Sequence, residues 1–371
     1  MKLAFAGGGT GGHLAPAIAL LEELENRGEG AAGIFLTSGI PAARLARSAP
    51  GSRVFSIPSA SLSLRRPWRL PLRLTCVRRG YLRSLEILRR FRPDLVVGLG
   101  GYVSVPPVLA ARRLKIPAVC HEQNRIPGRA NRLLARGSIK LIASFPLRPG
   151  KVDPGRVACL GAPVRRAALV PAPEGTAGSW GLEPGIFTVL VLGGSRGARA
   201  INRLLEAAAA ELAGAGPGEG IQVIHCAGGE DAGRLDLAYR ESGLTAAVFS
   251  GLEEIGWAYS LADLAVSRAG GATLSELAAW GLPSLLVPYP HATEDHQLAN
   301  ALYFQRAGAA VVRPEREIAV PVLLGEISRI RSDPELCRRM GAAARGLYRP
   351  DAAEEIIGYL ERLVKNNDQP R

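Results

Sequence analysis

Short unbroken apolar runs alternate along this chain with longer stretches in which apolar residues recur at helical spacing. Leu3 to Ala6, Gly33 to Thr37, Val54 to Ile57, Leu95 to Leu99, Ala118 to Cys120, Leu141 to Ala143 and Val157 to Leu160 read as buried strands. None shows the apolar–polar alternation of a sheet with one wet face, so the pattern predicts parallel strands covered on both faces by helices. A segment rich in Pro, Gly and Ala, from Pro171 to Gly185, precedes a second series: Phe187 to Leu192, Gln222 to Cys226, Ala246 to Ser250, Leu264 to Ser267, Ser284 to Val287 and Ala309 to Val312. The fold class predicted is α/β, two doubly wound Rossmann-like domains in tandem. Ala352 to Val364 is an amphipathic helix, and its polar tail from Lys365 onward is expected to fray. Facing sheets of this kind bind ligands in a cleft at the carboxyl ends of their strands.

Composition narrows the picture. At 371 residues the chain exceeds what one core supports, which agrees with two domains. A net charge of +13 calls for an anionic partner without saying which. Five cysteines at wide spacing, with no CxxC pair, argue against a disulfide scaffold or a cysteine zinc site. The apolar stretch after Met1 is too short for a signal peptide, and no run is long enough to span a membrane, so the expectation is a chain neither exported nor membrane-spanning.

The chemistry is expected in the glycine loops. Gly7-Gly8-Gly9-Thr10-Gly11-Gly12-His13 follows the first strand and opens a helix, where backbone N–H groups and the helix dipole favour a phosphate. The dinucleotide fingerprint is missing, because Glu22 and Glu23 lie inside the helix and no acid follows about 20 residues on at a strand end. The Lys-Ser/Thr of an ATPase loop is missing too. Gly193-Gly194-Ser195-Arg196-Gly197-Ala198-Arg199 repeats the arrangement in the second series, and Ser267 to Leu277 forms a third strand-to-helix loop. In that third loop Glu276, set among Leu274, Leu277 and Ala278, reads as a half-buried carboxylate able to accept from a ribose diol. Two phosphate-compatible loops suit a reaction in which both substrates carry diphosphates.

Several segments together carry a resemblance: Gly8 to His13 with Pro16-Ala17, Gly100-Gly101-Tyr102-Val103-Ser104-Val105-Pro106, and His121-Glu122-Gln123-Asn124 with Gly128 and Asn131. Gly193 to Ala198, Ser267 to Leu277, and Asp295-His296-Gln297 with Asn300-Ala301 follow in order. The chain resembles the MurG family of bacterial cell-wall transferases, which move N-acetylglucosamine from UDP-N-acetylglucosamine to undecaprenyl-pyrophosphoryl-N-acetylmuramoyl-pentapeptide. The resemblance implies a GT-B fold with an acceptor domain at 1–163, completed by a helix at about 350–365, and a donor domain at 164–349. It also implies inversion at the anomeric centre to give a β-1,4 linkage, and a peripheral location on the cytoplasmic face of the bacterial inner membrane.

By the same resemblance, Thr10, Gly11, Gly12, Asn124, Arg165, Ser195, Glu276, His296 and Gln297 would contact the donor. Gly8, Gly9, His13, Tyr102 and Asn131 would contact the acceptor. His13 and Glu122 are the catalytic candidates, since a one-step displacement needs a base for the attacking hydroxyl and a positive setting for the departing diphosphate. For His13, binding the acceptor diphosphate or holding the loop is the competing role. For His121, Glu122 and Asn124, which are expected to follow the buried strand, it is hydrogen-bonding the loop to the Tyr102 segment. Ala162 stands in Gly161-Ala162-Pro163-Val164-Arg165 where the family usually has asparagine. No ligand-spaced cluster calls for a metal or other cofactor, although a divalent ion accompanying the diphosphates is compatible with the sequence.

Between Arg65 and Arg92 lie ten arginines against the single acid Glu86, interleaved with apolar residues. Leu82, Leu85, Leu88 and Phe91 read as an ordinary core face. From Leu62 to Leu74, the prolines at 67 and 71 and an exposed Trp68 predict a membrane-facing loop, with Arg66, Trp68, Arg69, Leu70 and Leu72 on anionic lipid. Nucleic acid is not expected as a partner, since no recognition motif accompanies the arginines. A diacylglycerol glycosyltransferase of the same fold, a sugar-nucleotide epimerase and a non-catalytic lipid-surface protein are the rival readings.

Overall fold

The computed structural model describes residues 1–8, 12, 14–28, 32–38, 49, 51–60, 67–137, 139–193, 198–214 and 220–368. The chain divides into two compact units, one of Met1–Arg165 with Pro350–Arg371 and the other of Arg166–Arg349.

In the first unit β1 (Lys2–Ala6), β2 (Ala32–Thr37), β3 (Arg53–Ser56), β4 (Leu95–Gly98), β5 (Ala118–Glu122), β6 (Lys140–Ala143) and β7 (Val157–Cys159) form one parallel sheet in the order β3-β2-β1-β4-β5-β6-β7. Strand alternation divides β1 between two cores. Leu3 and Phe5 face the helices Ala15–Asn26 and Ala352–Asp368, while Ala4 and Ala6 face Leu70–Phe91 and Val105–Arg113. The last helix buries Ile356, Ile357 and Leu360 completely, at about 1.5–3 kcal/mol for each such side chain. Arg27 at the end of Ala15–Asn26 reaches Glu361 at 3.7 Å.

The second unit repeats the design. Its strands β8 (Phe187–Leu192), β9 (Ile221–Cys226), β10 (Ala246–Phe249), β11 (Leu264–Ser267), β12 (Ser284–Leu286) and β13 (Ala310–Val312) pair in parallel in the order β10-β9-β8-β11-β12-β13. Each sheet therefore reverses its winding beside its first strand, at β1/β4 and at β8/β11. The carboxyl ends of those strands are where doubly wound sheets take ligands.

Four local expectations are corrected. Strand β5 runs on through His121 and Glu122, which pair with Ile142 and Ala143 and are buried, so these residues belong to the strand instead of following it. Residues 67–74 are helical: Pro67–Arg69 is a 3-10 turn and the helix Leu70–Phe91 carries Pro71 in its first turn, where the missing N–H costs nothing. Leu82 is exposed, because the buried stripe of that helix runs Gly80, Ser84, Leu85, Ile87 and Leu88. Gly80 has to be glycine at this crossing, since a Cβ there would lie 2.1 Å from the Pro58 carbonyl oxygen. Finally, the terminal helix continues past Lys365 to Asp368.

Candidate functional site

At the β1/β4 reversal the backbone is packed too closely for side chains. A Cβ on Gly7 would lie 2.8 Å from the Leu99 Cβ, and one on Gly8 would lie 2.9 Å from the Ser38 carbonyl oxygen. Gly100 and Gly101 have φ of 87° and 72°, and a Cβ on Gly101 would come within 3.8 Å of the Gly8 oxygen. The two turns thus abut. Tyr102, half exposed, starts the 3-10 turn Tyr102–Ser104 that follows, with the Ser104 hydroxyl donating to the Gly101 carbonyl at 2.8 Å. Gly12 is half-buried, whereas Gly9, Thr10, Gly11 and His13 lie outside the described residues.

Next to these turns, the end of β5 carries a buried polar cluster. Glu122 is 4% exposed and accepts four hydrogen bonds: from the Asn124 backbone N–H (3.0 Å) and side-chain amide (3.2 Å), the Gly128 N–H (2.8 Å) and the Asn131 amide (2.9 Å). Burial pushes its carboxyl above the usual range while these donors pull it back. The Asn131 amide also donates to the His121 carbonyl at 3.1 Å, and its nitrogen would sit 3.5 Å from a Cβ on Gly100. His121, buried against the Ser144 hydroxyl at 3.3 Å, is held by desolvation at a pKa of about 4 and is neutral at physiological pH. Gly8, Tyr102, Glu122, Asn124 and Asn131 therefore gather at one edge of the first sheet. Asn124, expected to contact the donor, is bonded into the group expected to contact the acceptor.

In the second unit Gly193 is buried at the end of β8, and residues 194–197, Ser195 among them, lie outside the described residues. Helix Gly271–Trp280 starts directly after β11 and presents Glu276 half-buried. Its Oε2 accepts from the hydroxyl of Tyr259, a residue only 2% exposed on helix Ile255–Leu261. The turn Thr293–Asp295 holds Glu294 and Asp295 at φ of 54°, a left-handed backbone costly for side-chain-bearing residues, and delivers His296 and Gln297 at the start of the helix His296–Arg306. The Gln297 side-chain oxygen accepts from the Tyr289 N–H at 3.0 Å, and His296 Nδ1 lies 2.9 Å from the Thr293 carbonyl. Asn300 ties the same helix to the Ala269 carbonyl at 3.1 Å. Glu276, His296, Gln297 and Asn300 thus cluster around the loops that follow β11 and β12. Arg165 is half-buried as the last residue of the first unit's main segment.

On helix Leu70–Phe91 and the turn before it, Trp68 and Leu72 are 71% and 73% exposed, Arg69 is exposed and Leu70 is half-buried. Arg66 lies outside the described residues. No helix among the described residues is long and apolar enough to cross a membrane, and none of their acidic, Cys or His side chains group as metal ligands.

Sequence reasoning missed three sets of residues. Tyr259 is one. Another is the buried network in which His225 meets the Tyr239 hydroxyl (2.7 Å) and the Asn202 oxygen (3.1 Å), with Asn202 donating to Asp231 at 2.7 Å. The third is Arg268, which donates to the Val287 carbonyl at 3.1 Å and pairs with Glu315. Nothing local marks them, since each acts on a partner distant in sequence.

The model of the glycosyltransferase family 28 N-terminal domain matches residues 3–140, and that of the family 28 C-terminal domain matches 188–356. A UDP-N-acetylglucosamine–N-acetylmuramyl-(pentapeptide) pyrophosphoryl-undecaprenol N-acetylglucosamine transferase of Geobacter sulfurreducens is 39% identical over 99% of this chain and 100% of its own. The crystal structure of Acinetobacter baumannii MurG superposes with a TM-score of 0.72 at 26% identity, covering 97% of this chain and 99% of that one. A UDP-N-acetylglucosamine 2-epimerase from Neisseria meningitidis, bound to its nucleotide sugar, gives 0.66 at 14% identity over 98% and 100%. That last likeness shows the fold alone.

Proposed function

The chain belongs to glycosyltransferase family 28, in its MurG group, and from that membership we propose that it transfers N-acetylglucosamine from UDP-N-acetylglucosamine to undecaprenyl-pyrophosphoryl-N-acetylmuramoyl-pentapeptide. The observation that carries the proposal is the unbroken similarity, end to end, to transferases of that name. In this reading the second unit takes the donor. Glu276 accepts from the ribose hydroxyls, His296 and Gln297 read the sugar, and Ser195 and Arg165 meet the diphosphate. The first unit takes the acceptor diphosphate at Gly8, Gly9 and Tyr102.

The acceptor hydroxyl attacks the anomeric carbon from the face opposite UDP. The bond from that carbon to the β-phosphate oxygen breaks, its electron pair leaves with UDP, and the hydroxyl proton passes to a base, giving the inverted β-1,4 product. We assign the base to His13, since the unperturbed pKa of an imidazole suits the task, and assign Glu122, with both oxygens occupied by four donors, to holding residues 123–131. No step is assigned to a metal ion. The site of action is the cytoplasmic face of the cell membrane, approached by the exposed Trp68 and Leu72 with Arg69 beside them.

The test is transfer of labelled N-acetylglucosamine to a short-lipid diphospho-muramoyl-pentapeptide. Wild type is expected to turn over and His13→Ala to lose at least about 100-fold in kcat. No transfer by wild type in any lipid or ion condition would remove the proposal. Near-normal turnover by His13→Ala would remove only the assignment of the base.

A further inference from the structure

Glu276 sits on a helix surface with three rotatable bonds, and a carboxylate left to wander among rotamers is a poor receiver for a diol. Ordering such a side chain on binding costs up to about 1.5–2 kcal/mol. The structure removes that freedom in advance. The Tyr259 hydroxyl donates to Glu276 Oε2 at 2.8 Å from a ring buried in the second unit.

The two helices that carry this pair are fastened to the same short piece of chain. Helix Ile255–Leu261 lies so close to it that a Cβ on Gly256 would fall 2.3 Å from the Val170 carbonyl oxygen and 2.9 Å from that of Ala167. The Ser260 hydroxyl, one residue past the tyrosine, accepts from the Ala172 N–H at 2.9 Å. Helix Gly271–Trp280 is tied there as well, through the Trp280 indole N–H donating to the Ala168 carbonyl at 2.6 Å. With both helices bound to residues 167–172, the Tyr259 oxygen has little room to move relative to the Glu276 backbone.

We propose that Tyr259 is a positioning residue for the donor nucleotide, its buried hydroxyl fixing the Glu276 carboxylate in the rotamer that accepts both ribose hydroxyls. The proposal rests on the assignment of Glu276 to the ribose. A carboxylate offers about four lone-pair sites, so it can take the tyrosine bond and those of a diol together. A tyrosine here serves better than a cation, because it orients the carboxylate without neutralising the charge that makes it a strong acceptor.

The experiment compares wild type, Tyr259→Phe, Glu276→Ala and the double variant. For each, donor and acceptor KM, kcat, and inhibition by UDP and by 2′,3′-dideoxy-UDP are measured. Phenylalanine keeps the ring in the core, and the ratio of the two inhibition constants is independent of how much folded enzyme a preparation holds. Wild type is expected to prefer UDP, and Glu276→Ala to abolish that preference. Tyr259→Phe is expected to raise donor KM about tenfold and shrink the UDP preference, with kcat and acceptor KM near wild type and no added effect on donor KM in the Glu276→Ala background. An undiminished UDP preference in Tyr259→Phe, while Glu276→Ala loses it, would overturn the role of Tyr259. A preference that survives Glu276→Ala would instead overturn the ribose assignment, and the tyrosine's role with it.

Discussion

Replacing Glu122 by glutamine separates the two roles open to this carboxylate, because the substitution keeps the shape and removes one oxygen. Four donors converge on Glu122, two on each oxygen: the Asn124 N–H and amide on Oε1, and the Gly128 N–H and Asn131 amide on Oε2. A glutamine can satisfy one pair only. Its own N–H2 then faces the other pair, donor against donor, in a site with 4% exposure where water cannot intervene. Leaving a buried donor unpaired costs roughly 1–3 kcal/mol, so two cost about 2–6, and relief from burying a charge returns part of that. The expected net loss is about 2–4 kcal/mol.

For a body of this size each kcal/mol moves the midpoint by about 2–4 °C, so calorimetry should show the first unit melting roughly 5–15 °C lower. Acceptor KM should rise as residues 123–131 loosen, while kcat falls far less than the roughly 100- to 10,000-fold expected from losing a general base. A Glu122→Gln enzyme with a wild-type midpoint and a collapsed kcat would refute the anchoring role and make Glu122 the base.

Acid should destabilise each unit through one buried histidine. His121 and His225 have folded pKa values of about 4 and about 3 against 6.5 when unfolded, so the unfolded chain binds more protons and stability falls as pH drops from about 6.5 towards those values. Each contributes at most about 1.4 kcal/mol per pH unit, offset in the first unit by Glu122, whose raised pKa adds stability as it protonates. Urea unfolding at pH 7 and pH 5 checks this for each unit, and a second unit equally stable at both would refute it. At the membrane, Trp68→Ala with Leu72→Ala should weaken binding to anionic vesicles at least about tenfold and leave turnover on a short-lipid acceptor unchanged. Unchanged vesicle affinity would return these residues to plain surface.

What the sequence makes legible is whatever has a local signature. All thirteen expected strands form, because a run such as Leu264 to Ser267 is too apolar and too short to be anything but a strand buried on both faces. The errors share one cause, which is that local chemistry outvoted context. His121 and Glu122 look like loop residues, yet parallel pairing with β6 carries them into the sheet. Pro71 looks like a helix breaker, yet it falls in the first turn. Leu82 matches a core stripe on spacing, but the helix rolls so that Gly80 can pass under Pro58, and Leu82 turns outward.

The candidate site divides along the same line. Glycine turns announce themselves, although the reason for each glycine is a neighbour from another strand, such as Leu99 against Gly7. The polar groups announce only their identity. Glu122 and Glu276 are both acids near a glycine turn, and nothing in their immediate neighbours tells a carboxylate gripped by its own loop from one oriented by a buried tyrosine. That difference is made by Asn131, nine residues after Glu122, and by Tyr259, seventeen before Glu276. It decides their chemistry: four donors on one acid tie it to its own chain, while the buried Tyr259 hydroxyl aims the other.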